Sequence, residues 1–70
     1  MRDVEITREP VELYKILKFE GLAASGAEAK SAVADGMVRV NGEVETRKRK
    51  KIISGDVIEF GDDKIRIRLA

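Results

Sequence analysis

Five consecutive basic residues near the middle of the chain are its clearest candidate for chemistry. They run from Arg47 to Lys51 and include no acidic residue. An arginine can hold a phosphate group with its planar fork of N–H donors, and a lysine acts as a compact point charge. The run therefore predicts contact with RNA or another polyanion.

The charge balance of the rest of the chain supports this prediction. The chain has 14 basic and 13 acidic residues, and without the run nine basic residues face thirteen acidic ones. Solubility therefore does not require the run, although five solvated and idle charges remain the alternative. If all five contacted single-stranded RNA, log affinity would fall against log salt with a slope of roughly −3.5.

The start of a predicted helix at residue 26 is a second candidate for anion binding. Its free N–H groups and its dipole attract negative charge, and Gly26 would let a phosphate approach the backbone. Lys30 lies one turn further along. The alternative is structural, since Ser25 and Glu28 have the spacing of a capping box.

Two lysines and the three aromatic residues of the chain, Tyr14, Phe19 and Phe60, complete the candidates. Lys15 and Lys18 are three residues apart on a predicted helix, so they either extend the binding surface or belong to a solvated face. Phe60 is predicted to be in the core and Tyr14 to be half-buried. Since stacking on single-stranded RNA needs exposed aromatics, we expect recognition of structured RNA through shape and phosphates.

Several classes of function are disfavoured by what the sequence lacks. Without cysteine or histidine, the chain has no thiolate metal site, disulfide or usual proton shuttle. The close acidic pairs, Asp62-Asp63 and Glu43 with Glu45, have no partner residues for catalysis. We expect no enzyme activity, cofactor, metal or small-molecule substrate. No apolar run approaches the ~18 residues of a membrane span, and the first residues lack the apolar block of a signal peptide, so we expect a cytoplasmic protein.

The elements that must position these residues follow from the periodicity. Alternation around Val4 and Ile6 predicts a short strand. Helical spacing then predicts one helix from Pro10 to Glu20, with proline at its first position, and a second from Gly26 to Asp35. The link between them is short enough for a helical hairpin.

After the second helix the period changes to two. Alternation predicts four short strands, and Asn41-Gly42 predicts a type I′ turn. Strands are expected around Val38 and Val40, around Val44, over Val57–Phe60 and from Ile65 to Leu69. The fold class is therefore α+β, a helical hairpin packed on a small, mostly antiparallel sheet, in one domain over residues 1–70.

A motif covering about half of the chain carries a family resemblance. It consists of Gly21-Leu22-Ala23, Ser25, Ala29-Lys30, Val33, Gly36-x-Val38-x-Val40-Asn41-Gly42 and Gly55-Asp56-x-Ile58. With these residues the chain resembles the S-four domain, an RNA-binding module named after ribosomal small-subunit protein four, which contains the alpha-L RNA-binding motif. The stretch from Glu43 to Lys51 is similar to that of stand-alone bacterial proteins of the YbcJ/YaaA type.

The resemblance implies a non-catalytic, monomeric protein that binds structured RNA of the translation apparatus, such as ribosomal or tRNA-related RNA. Many members have arginine where this chain has Gly26, and Arg-Leu-Asp where it has Glu12-Leu13-Tyr14. These departures shift the expected contact toward Arg47–Lys51. The alternative from another class is a protein adaptor that docks its basic loop on an acidic partner.

Overall fold

The computed structural model describes residues 1–70, which form two short helices and seven strands. In chain order the elements are β1 (Arg2–Ile6), β2 (Val11–Glu12), α1 (Leu13–Phe19), α2 (Gly26–Ala34), β3 (Val38–Val40), β4 (Glu43–Val44), β5 (Lys51–Ile52), β6 (Val57–Phe60) and β7 (Asp63–Leu69). Neither helix has the length and the apolar content needed to cross a bilayer.

Five of the strands form one sheet in the order β1-β7-β6-β3-β4. Only the pairing of β1 with β7 is parallel, while β7, β6, β3 and β4 pair in antiparallel fashion. The remaining strands, β2 and β5, make a separate antiparallel ribbon of two residues each. The predicted class, a helical hairpin on a small and mostly antiparallel sheet, is confirmed.

The core lies between the helical hairpin and one face of the five-stranded sheet. It contains fifteen buried apolar side chains and no buried polar one. The members are Val4, Ile6, Leu13, Ile16, Leu17, Ala23, Ala29, Ala32, Val33, Val38, Val40, Ile52, Ile58, Ile65 and Ile67. Burying an aliphatic side chain of the larger kind stabilises the fold by roughly 1.5–3 kcal/mol. The alanines let α2 approach α1 closely.

The N-terminal boundary predicted for the first helix is wrong. The helix begins at Leu13 and not at Pro10, because Val11–Glu12 are extended and pair with Lys51–Ile52. Periodicity could not reveal this pairing, since the partner strand is distant in sequence. Its consequence is that the entry to α1 is tied directly to the end of the basic run.

Two of the free backbone donors at the start of α1 are satisfied by the basic run itself. The Leu13 N–H donates to the Lys50 carbonyl (2.9 Å) and the Tyr14 N–H to the Lys48 carbonyl (3.1 Å). The first N–H groups of a helix have no partner within the helix. Main-chain hydrogen bonds therefore fix the position of the run against α1.

The second helix begins with the predicted N-cap, where the Glu28 N–H donates to Ser25 Oγ (3.1 Å). The reciprocal bond expected from the Glu28 carboxylate does not form, so only half of the capping box is present. Glycine follows both helices at positive φ, Gly21 at 73° and Gly36 at 76°. This conformation is open to glycine at little cost and ends each helix.

The tight turn predicted at Asn41-Gly42 is present and has a second role. Both residues have positive φ, 54° and 83°, and the turn joins β3 to β4. The Asn41 side-chain amide donates to Asp56 Oδ1 (3.0 Å), and its oxygen accepts from the Val57 N–H (2.9 Å). These bonds hold the turn against the start of β6.

Candidate nucleic-acid interface

The basic run, called the basic loop below, spans Arg47–Lys51 and bends where a strand would be straight. The Lys50 N–H donates to the Arg47 carbonyl (3.0 Å), which closes a turn around Lys48 and Arg49. The loop connects β4 to β5, and its side chains are exposed apart from that of Lys50, which is half-buried. The turn removes the strict alternation of a strand, so the side chains need not point to opposite faces.

The two arginines of the basic loop are held by carboxylates of the protein. Arg47 donates from Nε and Nη2 to the two oxygens of Glu45 (2.9 and 3.1 Å), and its backbone N–H adds a third bond. Arg49 Nη1 donates to Glu12 Oε2 (3.3 Å). These two guanidinium groups are therefore oriented, and part of their charge is balanced within the molecule.

The titration of both carboxylates reflects these contacts. The pKa of Glu45 lies below its ordinary value mainly because its side chain accepts from Arg47. The pKa of Glu12 is lowered first by the hydrogen bond from Lys15 and then by Arg49. The pKa of Arg47 is raised by Glu45. All of these groups are charged at neutral pH, so the pairs persist there.

The three lysines of the basic loop, Lys48, Lys50 and Lys51, make no ion pair. A shallow notch of about 430 Å³ lies in the loop, and its only lining residues are Arg47, Arg49, Lys50 and Lys51. A concave site lined by cations alone suits a phosphate group.

Tyr14 connects the basic loop to the helical hairpin. The Lys30 ammonium lies 4.7 Å from the centroid of the Tyr14 ring, and the Arg49 guanidinium carbon lies 5.5 Å from it. Both distances are within the range of cation–π attraction. The half-buried ring thus brings a cation of α2 and a cation of the loop to one place.

The N-terminus of α2 adjoins the same ring. A Cβ added at Gly26 would lie 3.9 Å from Lys18 Cδ and 4.0 Å from Tyr14 Cε2. Gly26 and Lys18 therefore lie next to Tyr14, which also contacts Lys30. We call the surface formed by Tyr14, Lys18, Lys30 and the basic loop the cationic face; Ser25 and Gly26 lie along its border.

Lys15 lies at the edge of the cationic face, because Glu12 binds both Lys15 and Arg49 of the basic loop. It pairs with Glu12 (3.2 Å) and lines a different cleft together with Phe19. Tyr14 and Lys18 are four residues apart and form one stripe of α1, while Lys15 and Phe19 form another. The structure therefore brings together the other sequence-derived candidates and places Lys15 at the border of the same surface, with its charge balanced by Glu12.

Sequence reasoning missed three residues that shape this surface. Tyr14 was expected to be half-buried, which is confirmed, but its role between two cations was not foreseen. Glu45 could have been found, because residues two apart in an extended segment share a face with each other, as Glu45 and Arg47 do. The contact of Glu12 with Arg49 spans 37 positions and has no local signal.

Comparison with known proteins gives a consistent result. A protein-family model with the description "S4 domain" matches residues 4–68. The YbcJ proteins of Escherichia coli (strain K12) and Shigella flexneri are each 49% identical to this chain over 57 residues, which is 81% of both chains. The solution structure of E. coli YbcJ, described as revealing an alpha-L motif involved in RNA-binding, matches with a TM-score of 0.73 and 43% identity. The match covers 94% of this chain and 85% of that one.

Proposed function

This chain belongs to the S4 domain family, and we propose that it binds structured RNA without catalysing a reaction. The cationic face is the contact surface in this proposal. The observation that carries it is that Lys30 and Arg49 both lie within cation–π range of the Tyr14 ring, because this contact joins the loop and the helical hairpin into one positive surface. The RNA-binding motif described for E. coli YbcJ supports the same conclusion.

The chemistry of the cationic face favours contacts with the phosphate backbone. Lys48, Lys50 and Lys51 are free of ion pairs, and neutralising phosphates releases condensed counterions. Tyr14 is half-buried and has two cations near its ring, so the proposal does not depend on a base stacking there. We therefore infer recognition through shape and phosphates, as suits a folded RNA. Ribosomal RNA, or an RNA of translation or ribosome assembly, is the proposed target.

The carboxylates near the cationic face favour a binding role over catalysis. Glu12 and Glu45 are engaged by Arg49 and Arg47, which keeps the pKa of each carboxyl low. A general acid needs a pKa raised toward neutral pH. These carboxylates instead hold the basic loop in shape.

Charge reversal on the basic loop tests the proposal. We expect Lys48→Glu with Lys50→Glu to lower affinity for ribosomal RNA fragments by at least a hundredfold in a filter-binding assay, because two charged contacts are lost and two repulsions gained. The matched control is Arg39→Glu with Lys64→Glu. It makes the same change of charge at exposed positions of the sheet that form no ion pair. Because both positions lie opposite Glu59, circular dichroism must show that this control is folded.

Sedimentation of the purified protein with ribosomal particles, followed by crosslinking and sequencing, identifies the RNA. If both double variants lose affinity equally, the effect is one of net charge and the assigned surface is wrong. If the unmodified protein binds no RNA but is held on the particles by an acidic protein, the adaptor alternative is correct.

A further inference from the structure

Phe19 is the one exposed aromatic residue of the chain. It is 70% exposed, whereas Tyr14 and Phe60 are half-buried. An exposed aromatic ring is a platform on which proteins stack unpaired bases of RNA. The Lys18 ammonium lies 5.9 Å from the centroid of the Phe19 ring, and Lys18 belongs to the cationic face. The ring therefore lies at the margin of the surface proposed to bind RNA.

Phe19 also lines a cleft of about 680 Å³ between α1 and β1. Sites for small ligands measure roughly 300–1,000 Å³, so the cleft has room for a nucleotide. Lys51 lines both this cleft and the notch in the basic loop. The cleft is therefore continuous with the cationic face, and an RNA bound there can reach it.

The free edge of β1 borders the cleft and offers unpaired backbone groups. β1 is terminal in the sheet and pairs only with β7. The Ile6 carbonyl accepts from the Ala70 N–H on the β7 side (2.8 Å). Because backbone groups alternate along a strand, the N–H and C=O of Glu5 point away from β7 and have no strand to pair with. A donor beside an acceptor suits the hydrogen-bonding edge of a base.

Two of the three acidic residues of the cleft are held by cations of the protein. The lining contains the acidic residues Glu5, Glu12 and Glu20 and the basic residues Arg8, Lys15 and Lys51. Glu12 is bound by Lys15 (3.2 Å) and by Arg49 (3.3 Å). Glu20 is bound by Arg2 (3.0 Å). These two carboxylates are therefore balanced within the molecule.

The charges of the lining that make no ion pair are those of Glu5, Arg8 and Lys51. Glu5 alternates with buried positions of β1, so its side chain lies on the outer face of the sheet. Arg68 lies opposite Glu5 in the strand register. The free charges are thus net positive, and the two cations suit a phosphate group.

We propose that the cleft receives one unpaired nucleotide of the RNA on the cationic face, an inference that rests on the proposed function. The base stacks on Phe19 and hydrogen-bonds to the backbone of Glu5. Arg8 and Lys51 contact the adjoining phosphates. Stacking tolerates any base, because every base has a π-face. The contact therefore selects RNA helices that carry an unpaired nucleotide.

Two other occupants of the cleft use fewer of its features. A peptide strand would pair with the free edge of β1 but would leave Arg8 and Lys51 without an anion. A second copy of the chain would bring the same net positive charge to both sides of the contact. RNA is the occupant that uses the ring, the free cations and the continuity with the cationic face.

The test uses a ribosomal RNA hairpin that the protein retains in the filter-binding assay, prepared in three forms. The first has no tail, the second has short uridine tails at both ends, and the third has abasic tails of the same length. The two tailed forms carry the same phosphates and differ only in their bases. We expect removal of the tail bases to weaken binding by roughly fivefold or more, the worth of one stacked base.

Variants of Phe19 assign this difference to the cleft. Phe19→Ala should abolish the difference between the two tailed forms and leave the affinity for the tail-less hairpin unchanged. Phe19→Trp should preserve the difference, because the indole ring also stacks. Since Phe19 is 70% exposed, both variants should fold. Met37→Ala, at another exposed apolar residue, is the control and should behave like the unmodified protein.

Two further measurements locate the tail. Arg8→Gln should weaken binding of both tailed forms and not that of the tail-less hairpin, because a phosphate contact is lost. NMR signals of the Phe19 ring and of the Glu5 amide should shift more with the uridine-tailed hairpin than with the tail-less one. Shifts confined to the basic loop would contradict the inference.

The tail-less hairpin separates failure of this inference from failure of the proposed function. If that hairpin binds and the tail bases make no difference, the inference alone is wrong. If no ribosomal hairpin is retained, the proposed function is wrong and the inference falls with it. A peptide of alternating threonine and valine that shifts the Phe19 signals when the tailed RNA does not would make the cleft a strand-binding site. Phe19 signals that shift with protein concentration alone would make it an interface between copies.

Discussion

The basic loop and β7 each carry a cluster of cations, but only the loop leaves several of them free. On β7 the basic residues are Lys64, Arg66 and Arg68, at every second position. Arg66 and Arg68 both bind Asp3, at 3.1 and 3.3 Å. These contacts lower the pKa of Asp3, mainly through the hydrogen bond from Arg66.

Strand register explains this balance on β7. Lys64 lies opposite Glu59, and Arg68 lies opposite Glu5, so each basic residue has an acidic neighbour across the strand. The basic loop has no such register, and Lys48 and Lys50 stay without a partner. Basic residues at every second position of a strand can thus be neutralised by acidic residues of the neighbouring strands. A basic run on a turn has no such neighbours, so its charges stay free to bind a ligand.

Removing two charges from each cluster gives the largest expected difference. Lys48→Gln with Lys50→Gln should weaken RNA binding on the order of a hundredfold, since each charged contact contributes well above 1 kcal/mol. Arg66→Gln with Arg68→Gln removes the same charge and should change affinity by less than about twofold, because these cations are already paired. Filter binding at one fixed salt concentration measures both. An equal loss in the two variants would contradict the distinction between free and paired cations.

Freeing one of the loop's paired arginines should have a smaller effect. Glu45→Gln releases Arg47, and affinity for RNA should rise by up to about fivefold, the worth of an exposed ion pair. With three free lysines, log affinity should fall against log salt with a slope of roughly −2, and Glu45→Gln should steepen it by about 0.7. Asp3→Asn, which releases cations on β7, is the control and should leave the slope unchanged. An unaltered slope in the Glu45 variant would mean that Arg47 does not reach the RNA.

Lowering the pH should produce the smallest effect, which is a change in the stability of the fold. The pKa of Glu12 and that of Glu45 lie below the ordinary 4.5 in the folded protein, so their ion pairs stabilise the fold fully above that value. This contribution is lost as the pH falls through the lowered pKa. Thermal unfolding between about pH 6 and pH 2 should therefore show a declining Tm. Glu12→Gln with Glu45→Gln should flatten the decline, and Asp3→Asn should remove the part that belongs to β7. An unchanged decline in the Glu12 and Glu45 variant would show that the loop pairs contribute nothing.

Much of the fold could be predicted because its signals are local. The cap at Ser25, the turn at Asn41-Gly42 and the alternation of β6 and β7 each depend on neighbouring residues. The start of α1 and the ribbon of β2 with β5 could not be predicted, since residues 11–12 pair with residues 51–52. Propensity at Pro10 favoured a helix start, and a tertiary pairing overrode it.

The same distinction between local and long-range signals applies to the candidate site. The loop and the α2 residues Gly26 and Lys30 could be proposed from charge and helix-end chemistry. Their convergence on Tyr14 could not, because it depends on how loop and hairpin pack. Lys15 and Lys18 lie on the exposed side of α1, as their spacing predicts, but the pairing of Glu12 with both Lys15 and Arg49 has no local signal.

The main-chain bonds from Leu13 and Tyr14 to the carbonyls of Lys50 and Lys48 have an evolutionary consequence. A carbonyl group is present whatever side chain a residue carries, so the path of the loop is set independently of the two lysines. Selection can therefore exchange the residues at these two positions while the scaffold stays intact. One architecture can thus acquire new binding preferences by drift at its loop, and the same property makes the domain a convenient starting point for engineering.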